Sequence, residues 1–391
     1  MLDLLVISHA CFTAINRNIY SLFKEDGWRV EIVVPKTLSF PSGIKYANSP
    51  MEGDPPLHFL TLNGTNPRIY EFEGLIALLD QKKPKIVLLD NDPVCRMALS
   101  VGTWCAKNNA KLFCMSCENL SLKLFDTYQR RGIKSIPGAI VKRVLLNKTK
   151  KLVSGIFTIN KDGQKLFIEE GYKNVVHIPL GFNPEYFYLD NEARKKIRTD
   201  LGLKHKVLAY FGRLVKEKGV HILIKALESL KDLHWHLMMD DFDIYTIGYA
   251  QEIHQLLKDT GIMERVVFIK PNHFEIASFM NACDVIVVPS IATSVWKEQY
   301  GRVAAEGLAC GKLVIASDSG ALPELLGGHG LLFQEGDLKA LANLLSDLLT
   351  KNVSEITNET PESIAAYALG ALSINRQKVI IEQEFKKIMN N

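Results

Sequence analysis

The chain has 391 residues, 47% of them hydrophobic and 23% charged, with a formal net charge of +4. That length exceeds what one hydrophobic core usually supports, so two domains are expected, and so small a net charge argues against a nucleic-acid partner. Seven cysteines, an odd number scattered along a long chain, argue against a disulfide framework and for a reducing compartment. Met1–Ser8 has no basic flank and only a short apolar run, so it does not read as a secretory signal. No stretch approaches about 18 unbroken apolar residues, the length of a membrane span. A cytoplasmic location is expected, peripheral to the inner face of a membrane.

Taken in chain order, short apolar runs alternate with longer amphipathic ones. The first half predicts strand Leu2–Ile7, helix Asn16–Asp26, strands Arg29–Val34 and His58–Leu62, helix Tyr70–Gln81, strand Lys85–Leu89, helix Pro93–Asn108 and strand Lys111–Met115. A basic helical region at Pro137–Leu146, strand Leu152–Thr158, helix Lys161–Glu169 and strand Val175–Ile178 complete it. Pro179–Phe187, interrupted by Gly181 and Asn183-Pro184, reads as a linker. The pattern restarts with strand Val207–Phe211 and continues, strand and helix in turn, through His234–Met239, Val266–Ile269, Val285–Val288, Arg302–Ala309, Leu313–Ala316 and Leu322–Leu326 to helix Leu338–Leu349. One long helix, Ile364–Met389, is expected last. Continuous apolar strands separated by helices imply a parallel sheet covered on both faces. The expected boundaries are 1–178, 179–360 and a C-terminal helical segment 361–391. Two such α/β units imply a cleft, and ligands of open α/β sheets bind beyond the carboxyl ends of the strands.

The chemistry concentrates in the second unit. In Glu298-Gln-Tyr-Gly301-Arg302-Val303-Ala-Ala-Glu306, Gly301 sits where a helix should begin. A helix start offers free amides and the positive end of a dipole, and a residue without a side chain lets a phosphate come close. The amides of Gly301, Arg302 and Val303 are the candidate donors. Glu298 before the helix and Glu306 on it could each hold a diol, since an ionised carboxylate accepts two hydrogen bonds at once; the alternative is a surface loop residue and a dipole partner. Phe211-Gly212-Arg213-Leu-Val-Lys-Glu-Lys218-Gly219 follows the first strand of this unit. Arg213 and Lys218 there suit a diphosphate, one as a planar fork and the other as a point charge.

These residues resemble glycosyltransferase family 4 (group 1), the retaining enzymes of the GT-B fold. The resemblance rests on Gly212-Arg213-x4-Lys218-Gly219, Pro289-Ser290, Glu298-x7-Glu306, Leu322-Pro-Glu-Leu325 and Gly330-Leu-Leu-Phe-x2-Gly336-Asp337, and covers about Val176–Leu349. It implies an α/β protein of two doubly wound Rossmann-like domains facing across a cleft, the C-terminal one binding a nucleotide-sugar. It implies a hexosyltransferase-like enzyme that moves a sugar, with retention, to a glycan, lipid-linked or small-molecule acceptor, as in polysaccharide biosynthesis. Arg213 and Lys218 would bind the diphosphate, Glu298 the transferred sugar and Glu306 the ribose. No cofactor and no metal are expected. The C-terminal helix would pack back on the N-terminal domain.

The N-terminal half departs from the family. The loop after its first strand, His9–Asn16, has no glycine; Asp240-Asp-Phe-Asp243 stands where Gly-x-Gly is usual; Ser116-Cys-Glu118-Asn119 stands where a histidine is frequent. His9, Asn16, Glu118 and Asn119 are candidate acceptor-side residues, the alternative for His9 being a backbone cap. Asp90 and Asp92 flank Asn91 before Pro93, and the expected role of Asp92 is a helix cap. Cys114 and Cys117, a lone C-x-x-C, read as structural thiols. Residues 130–151 hold eight Lys and Arg and no Asp or Glu, which suits peripheral contact with anionic lipid or equally a solvated helix face. Two rivals share this fold: an inactive protein kept as a binding partner, and an epimerase-type enzyme acting on the nucleotide-sugar.

Overall fold

The computed structural model describes residues 2–40, 43–240 and 247–390, the side chain of 247 excepted. The chain divides into two compact units, Met1–Pro179 with Ile374–Asn391, and Leu180–Ser373.

In unit 1, β1 (Leu4–Ser8) leads through two 3-10 turns to α1 (Asn18–Glu25) and β2 (Val30–Pro35). β3 (Thr37–Phe40) and β4 (Gly43–Tyr46) form an antiparallel pair, β5 (Leu57–Leu60) rejoins the main sheet, and β6 (Leu62–Asn63) pairs with β7 (Glu71–Phe72). There follow α2 (Leu75–Lys82), β8 (Ile86–Asp90), α3 (Arg96–Lys107), β9 (Lys111–Ser116), α4 (Leu124–Arg131), α5 (Ile136–Thr149), β10 (Val153–Thr158), α6 (Lys161–Glu169) and β11 (Val175–His177). The sheet runs β11-β10-β9-β8-β1-β2-β5, and its strands are parallel. Side chains alternate across a strand, so β1 sends Leu5 and Ile7 into one core with α2, α3, α5 and α6, and Leu4 and Val6 into another with α1. That two-sided burial is why β1 reads Leu-Leu-Val-Ile before its one polar residue, Ser8 at the carboxyl end.

Unit 2 opens with α7 (Asn191–Asp200), then β12 (Lys206–Tyr210), α8 (Val220–Glu228), β13 (Trp235–Asp240), α9 (Ile247–Asp259), β14 (Val266–Ile269), α10 (Ile276–Ala282), β15 (Val285–Val288), α11 (Arg302–Ala309), β16 (Leu313–Ser317), α12 (Leu322–Leu326), β17 (Leu331–Phe333), α13 (Leu338–Thr350), α14 (Val353–Thr357) and α15 (Pro361–Leu372). The sheet order β14-β13-β12-β15-β16-β17 reverses direction between β12 and β15. In a doubly wound fold that reversal opens a crevice at the carboxyl ends of the two strands.

Four expectations need correction. Tyr70–Gln81 is not one helix: Gly74, at φ +78°, separates β7 from α2. α4 and α7 were not foreseen. α7 buries no residue and so has no apolar stripe to read; Asp190 caps it, and Arg194 and Arg198 clamp it to Asp284 at 2.5 and 3.2 Å. The last helix is two. Ser373 is extended and bridges to Phe182, ending α15, and α16 (Ile374–Met389) begins beyond it. Only α16 belongs to unit 1, so the segment that packs on that unit starts at 374 rather than 361. There Phe385 is fully buried, its ring 4.7 Å from that of Phe113, and Trp28 Nε1 donates to Glu382 at 3.1 Å.

Candidate functional site

The reversal between β12 and β15 brings two of the sequence-predicted residues of unit 2, Lys218 and Glu298, together. Lys218 lies in the loop after β12, and Ser290 just beyond β15. Lys218 Nζ donates to Glu298 Oε2 at 2.5 Å, and Ser290 Oγ donates to the same oxygen at 2.8 Å. Glu298 is 4% exposed, so its charge is held by a cation and a hydroxyl rather than by water. The indole of Trp296 faces Lys218 Nζ, 5.2 Å from the ring centroid, adding a cation–π contact. Ser290 is fixed in turn by Ser317 Oγ on its carbonyl at 2.5 Å. Arg213 is exposed in the same loop and Gly212 half-buried, and the buried Tyr210 donates its hydroxyl to the Arg213 carbonyl at 2.8 Å. A cavity of about 560 Å³ opens beside this loop, lined by Val215, Lys216, Glu217, Gly248, Tyr249 and Glu252.

Gly301 caps α11 with φ +92°, and no side chain caps that end by a hydrogen bond. Any Cβ there would lie 2.5 Å from Leu322 Cδ2, so both backbone and space demand glycine. Arg302 is exposed and Val303 half-buried in the first turn. Glu306, one turn further on, is half-buried; desolvation pushes its carboxyl up to about 7, partly offset by Arg302. The arrangement is a paired cation and buried anion beside a helix start, a set of groups able to receive a diphosphate and the hydroxyls on either side of it.

The acceptor-side candidates of unit 1 form two groups at the carboxyl ends of β1, β8 and β9. His9 Nδ1 meets Tyr70 OH at 3.1 Å, Asn91 Nδ2 donates to that hydroxyl at 3.3 Å, and Ser8 Oγ donates to Asp90 at 2.6 Å. His9 is therefore tied to a side chain. Glu118 accepts from Arg68 at 2.8 Å, and Ser116 donates to Asp92. Burial and the neighbouring Glu118 raise the Asp92 carboxyl; burial, Arg68 and Arg131 lower the Lys142 ammonium. Asp92 is not a helix cap, because α3 starts at Arg96 and Cys95 Sγ caps it by accepting from Ala98 N. Asn119 is buried, and Asn16 turns its amide to the Ala10 carbonyl at 2.7 Å. Cys114 is buried and Cys117 exposed. Asp241, Phe242 and Asp243 lie outside the described residues. Among the described residues no group of three His, Cys, Asp or Glu is placed to hold a metal ion, and no helix is long and apolar enough to cross a membrane.

Comparison with known proteins follows the same division. Residues 192–369 match the family of glycosyl transferases group 1. A D-inositol 3-phosphate glycosyltransferase of Stackebrandtia nassauensis is 32% identical over 183 residues, 44% of this chain and 40% of that protein. Spore coat protein SA of Bacillus subtilis is 30% identical over 186 residues, 44% of this chain and 47% of that protein. The chain thus spans about half the length, or less, of these curated relatives. Among solved structures, a glycosyltransferase from Rickettsia africae has a TM-score of 0.77 at 16% identity, covering 100% of this chain and 99% of that one. The Anabaena protein HepE, in complex with UDP, has a TM-score of 0.72 at 21% identity, covering 99% and 100%. At such identities the likeness fixes the fold: two parallel-sheet Rossmann-like halves, as in GT-B glycosyltransferases.

Three contributors escaped the sequence reading. Ser290 was noted as part of Pro289-Ser290 without a role. Trp296 sits in a polar loop with no periodicity to flag it. Gly320 (φ +57°) packs on the loop holding Glu298: a Cβ there would lie 2.0 Å from the Glu298 carbonyl oxygen. A glycine just past the carboxyl end of β16 was the available signal.

Proposed function

We propose that the chain is a retaining, metal-independent glycosyltransferase of family 4 that moves a sugar from a nucleoside-diphosphate sugar to a hydroxyl of a glycan, a lipid-linked sugar or a small metabolite. The observation that carries this is the Lys218–Glu298–Ser290 cluster at the strand-order reversal of unit 2, next to the glycine-capped start of α11. Arg213, Lys218 and the amides of Gly301, Arg302 and Val303 take the diphosphate, and their positive field stabilises the charge that builds on it as the glycosidic bond breaks. Glu298, held by Lys218 and Ser290, orients hydroxyls of the sugar; Glu306 takes the ribose diol. A leaving-group oxygen deprotonates the acceptor on the face from which the diphosphate departs, which preserves the anomeric configuration. These fixed cations do the work a divalent ion would do elsewhere. His9 and Glu118 in unit 1 serve the acceptor. Seven unpaired thiols favour a cytoplasmic setting.

The test is thermal stability with UDP, GDP, ADP and dTDP in the presence of a chelator. A nucleotide at a hundred times its dissociation constant should stabilise the protein by about 2.7 kcal/mol, and Arg213→Ala should abolish the shift. UDP is the first candidate, since HepE binds it. No shift with any of the four would refute the donor site. A product of inverted configuration, read by NMR, would refute retention alone.

A further inference from the structure

α4 and α5 of unit 1 carry a surface that the transfer reaction does not use. α5 is apolar on two sides. Its inner side packs Ala139 and Leu146 into the unit, yet Ile140, Val141 and Val144 stand 50, 54 and 49% exposed. Their spacing, i, i+1 and i+4, puts them on one outer stripe. A helix apolar all round is ordinarily buried. The same character continues through Phe125 and Tyr128 of α4 and through Ile133 in the turn between the helices, the last 72% exposed. Single exposed apolar residues are common, whereas six within positions 125–144 mark an interaction site.

Charge selects the partner. No Asp or Glu lies between Thr127 and Lys161, and Arg131, Lys134, Lys148 and Lys151 are all exposed. The acidic residues at this region are few and engaged: Asp126 of α4 accepts from Ser121 Oγ at 2.5 Å, Glu170 at the end of α6 holds Arg143, and Glu169 lies 3.7 Å from Lys123. Basic residues interleaved with aromatic and branched aliphatic ones fit the headgroup layer of a bilayer. There the rings and methyls displace water while the cations meet anionic lipid.

We propose that unit 1 docks on an anionic phospholipid surface through α4, the turn Ile133–Ser135 and α5, with Phe125, Ile133, Ile140 and Val144 entering the headgroup layer and Arg131, Lys134, Lys148 and Lys151 meeting the lipid charge. The corollary, that the acceptor is itself held in the membrane, rests on the glycosyl-transfer reading; the docking does not.

Co-flotation of the full chain with vesicles tests it. Binding is expected to vesicles of phosphatidylcholine mixed with phosphatidylglycerol and not to phosphatidylcholine alone. Arg131→Gln, Lys134→Gln and Lys148→Gln together should lower partitioning on the order of a hundredfold, at roughly fivefold for each charge. Lys195→Gln, Lys196→Gln and Lys204→Gln in unit 2 remove the same charge from exposed positions and should leave binding within about fivefold of the unaltered chain. Ile133→Ser with Ile140→Ser should remove the binding that survives high salt. Equal losses in the two lysine sets, or no flotation, would overturn the proposal, as would concentration-dependent self-association abolished by the two isoleucine changes. A chain that floats but transfers no sugar leaves docking in place and removes the reaction; one that transfers to a soluble acceptor but never floats does the reverse.

Discussion

Replacing Glu306 by glutamine removes an ionisable group that burial on α11 holds at about 7, against an ordinary 4.5. The folded protein binds this proton more tightly than the unfolded chain. Stability from the neutral carboxyl is therefore full below about 4.5, falls as pH rises toward about 7, and is gone above it. At about 1.4 kcal/mol per pH unit, the gap is worth about 3 kcal/mol. Glutamine carries no charge, so the variant should match the wild type near pH 4.5 and exceed it by up to about 3 kcal/mol at pH 8. Thermal melts of both proteins across that range, without ligand, measure the difference. If Glu306 takes the ribose diol as proposed, nucleotide should reverse the order, because the diol needs the ionised carboxylate as acceptor. Binding near pH 6.5 should release roughly 0.8 proton, readable as a buffer-dependent binding enthalpy, and the variant should release none. Parallel pH profiles for the two proteins would refute the burial argument; proton release surviving in the variant would refute Glu306 as the ribose ligand.

Lys218→Met takes the ammonium away from the buried Glu298 carboxylate, and should cost about 3 kcal/mol of stability at neutral pH; adding Glu298→Gln should restore most of it in chemical denaturation while activity stays lost. Gly301→Ala forces a side chain into a positive-φ position against Leu322 and should cost about 1–3 kcal/mol, together with a weaker nucleotide-induced melting shift. Phe385→Ala empties a fully buried site among Phe23, Trp28, Phe113 and Phe157; about 3–5 kcal/mol should be lost, with the nucleotide affinity proposed for unit 2 unchanged in titration.

Elements bounded by abrupt changes in hydropathy were legible to the residue: β14, β15, α6, α11 and α12 begin and end where the apolar runs do. α7 was not, because its stability comes from arginines gripping Asp284 and carbonyls some 85 residues away, which leaves no local period. The break at Ser373 was hidden for a similar reason: helical residues run on both sides of it, and the bridge that marks the break is to Phe182, far away in sequence. In the candidate site, residue types at strand ends singled out Lys218 and Glu298 separately. That one carboxylate oxygen is shared by Lys218, 80 positions earlier, and by Ser290 depends on the strand order of the sheet, which no local pattern encodes.

The assignment of α16 to unit 1 sets an order of events during synthesis. Residues 180–373 form an uninterrupted insert whose sheet and helices are complete once Ser373 has left the ribosome. Unit 1 cannot close the face of its sheet that carries Phe113 and Phe157 until Phe385 arrives. Although translated first, it finishes last, and its apolar face waits uncovered while nearly two hundred further residues are made. A nascent chain stalled before residue 374 should present that face to a chaperone, and a truncation there should harm the unit whose strands were made first.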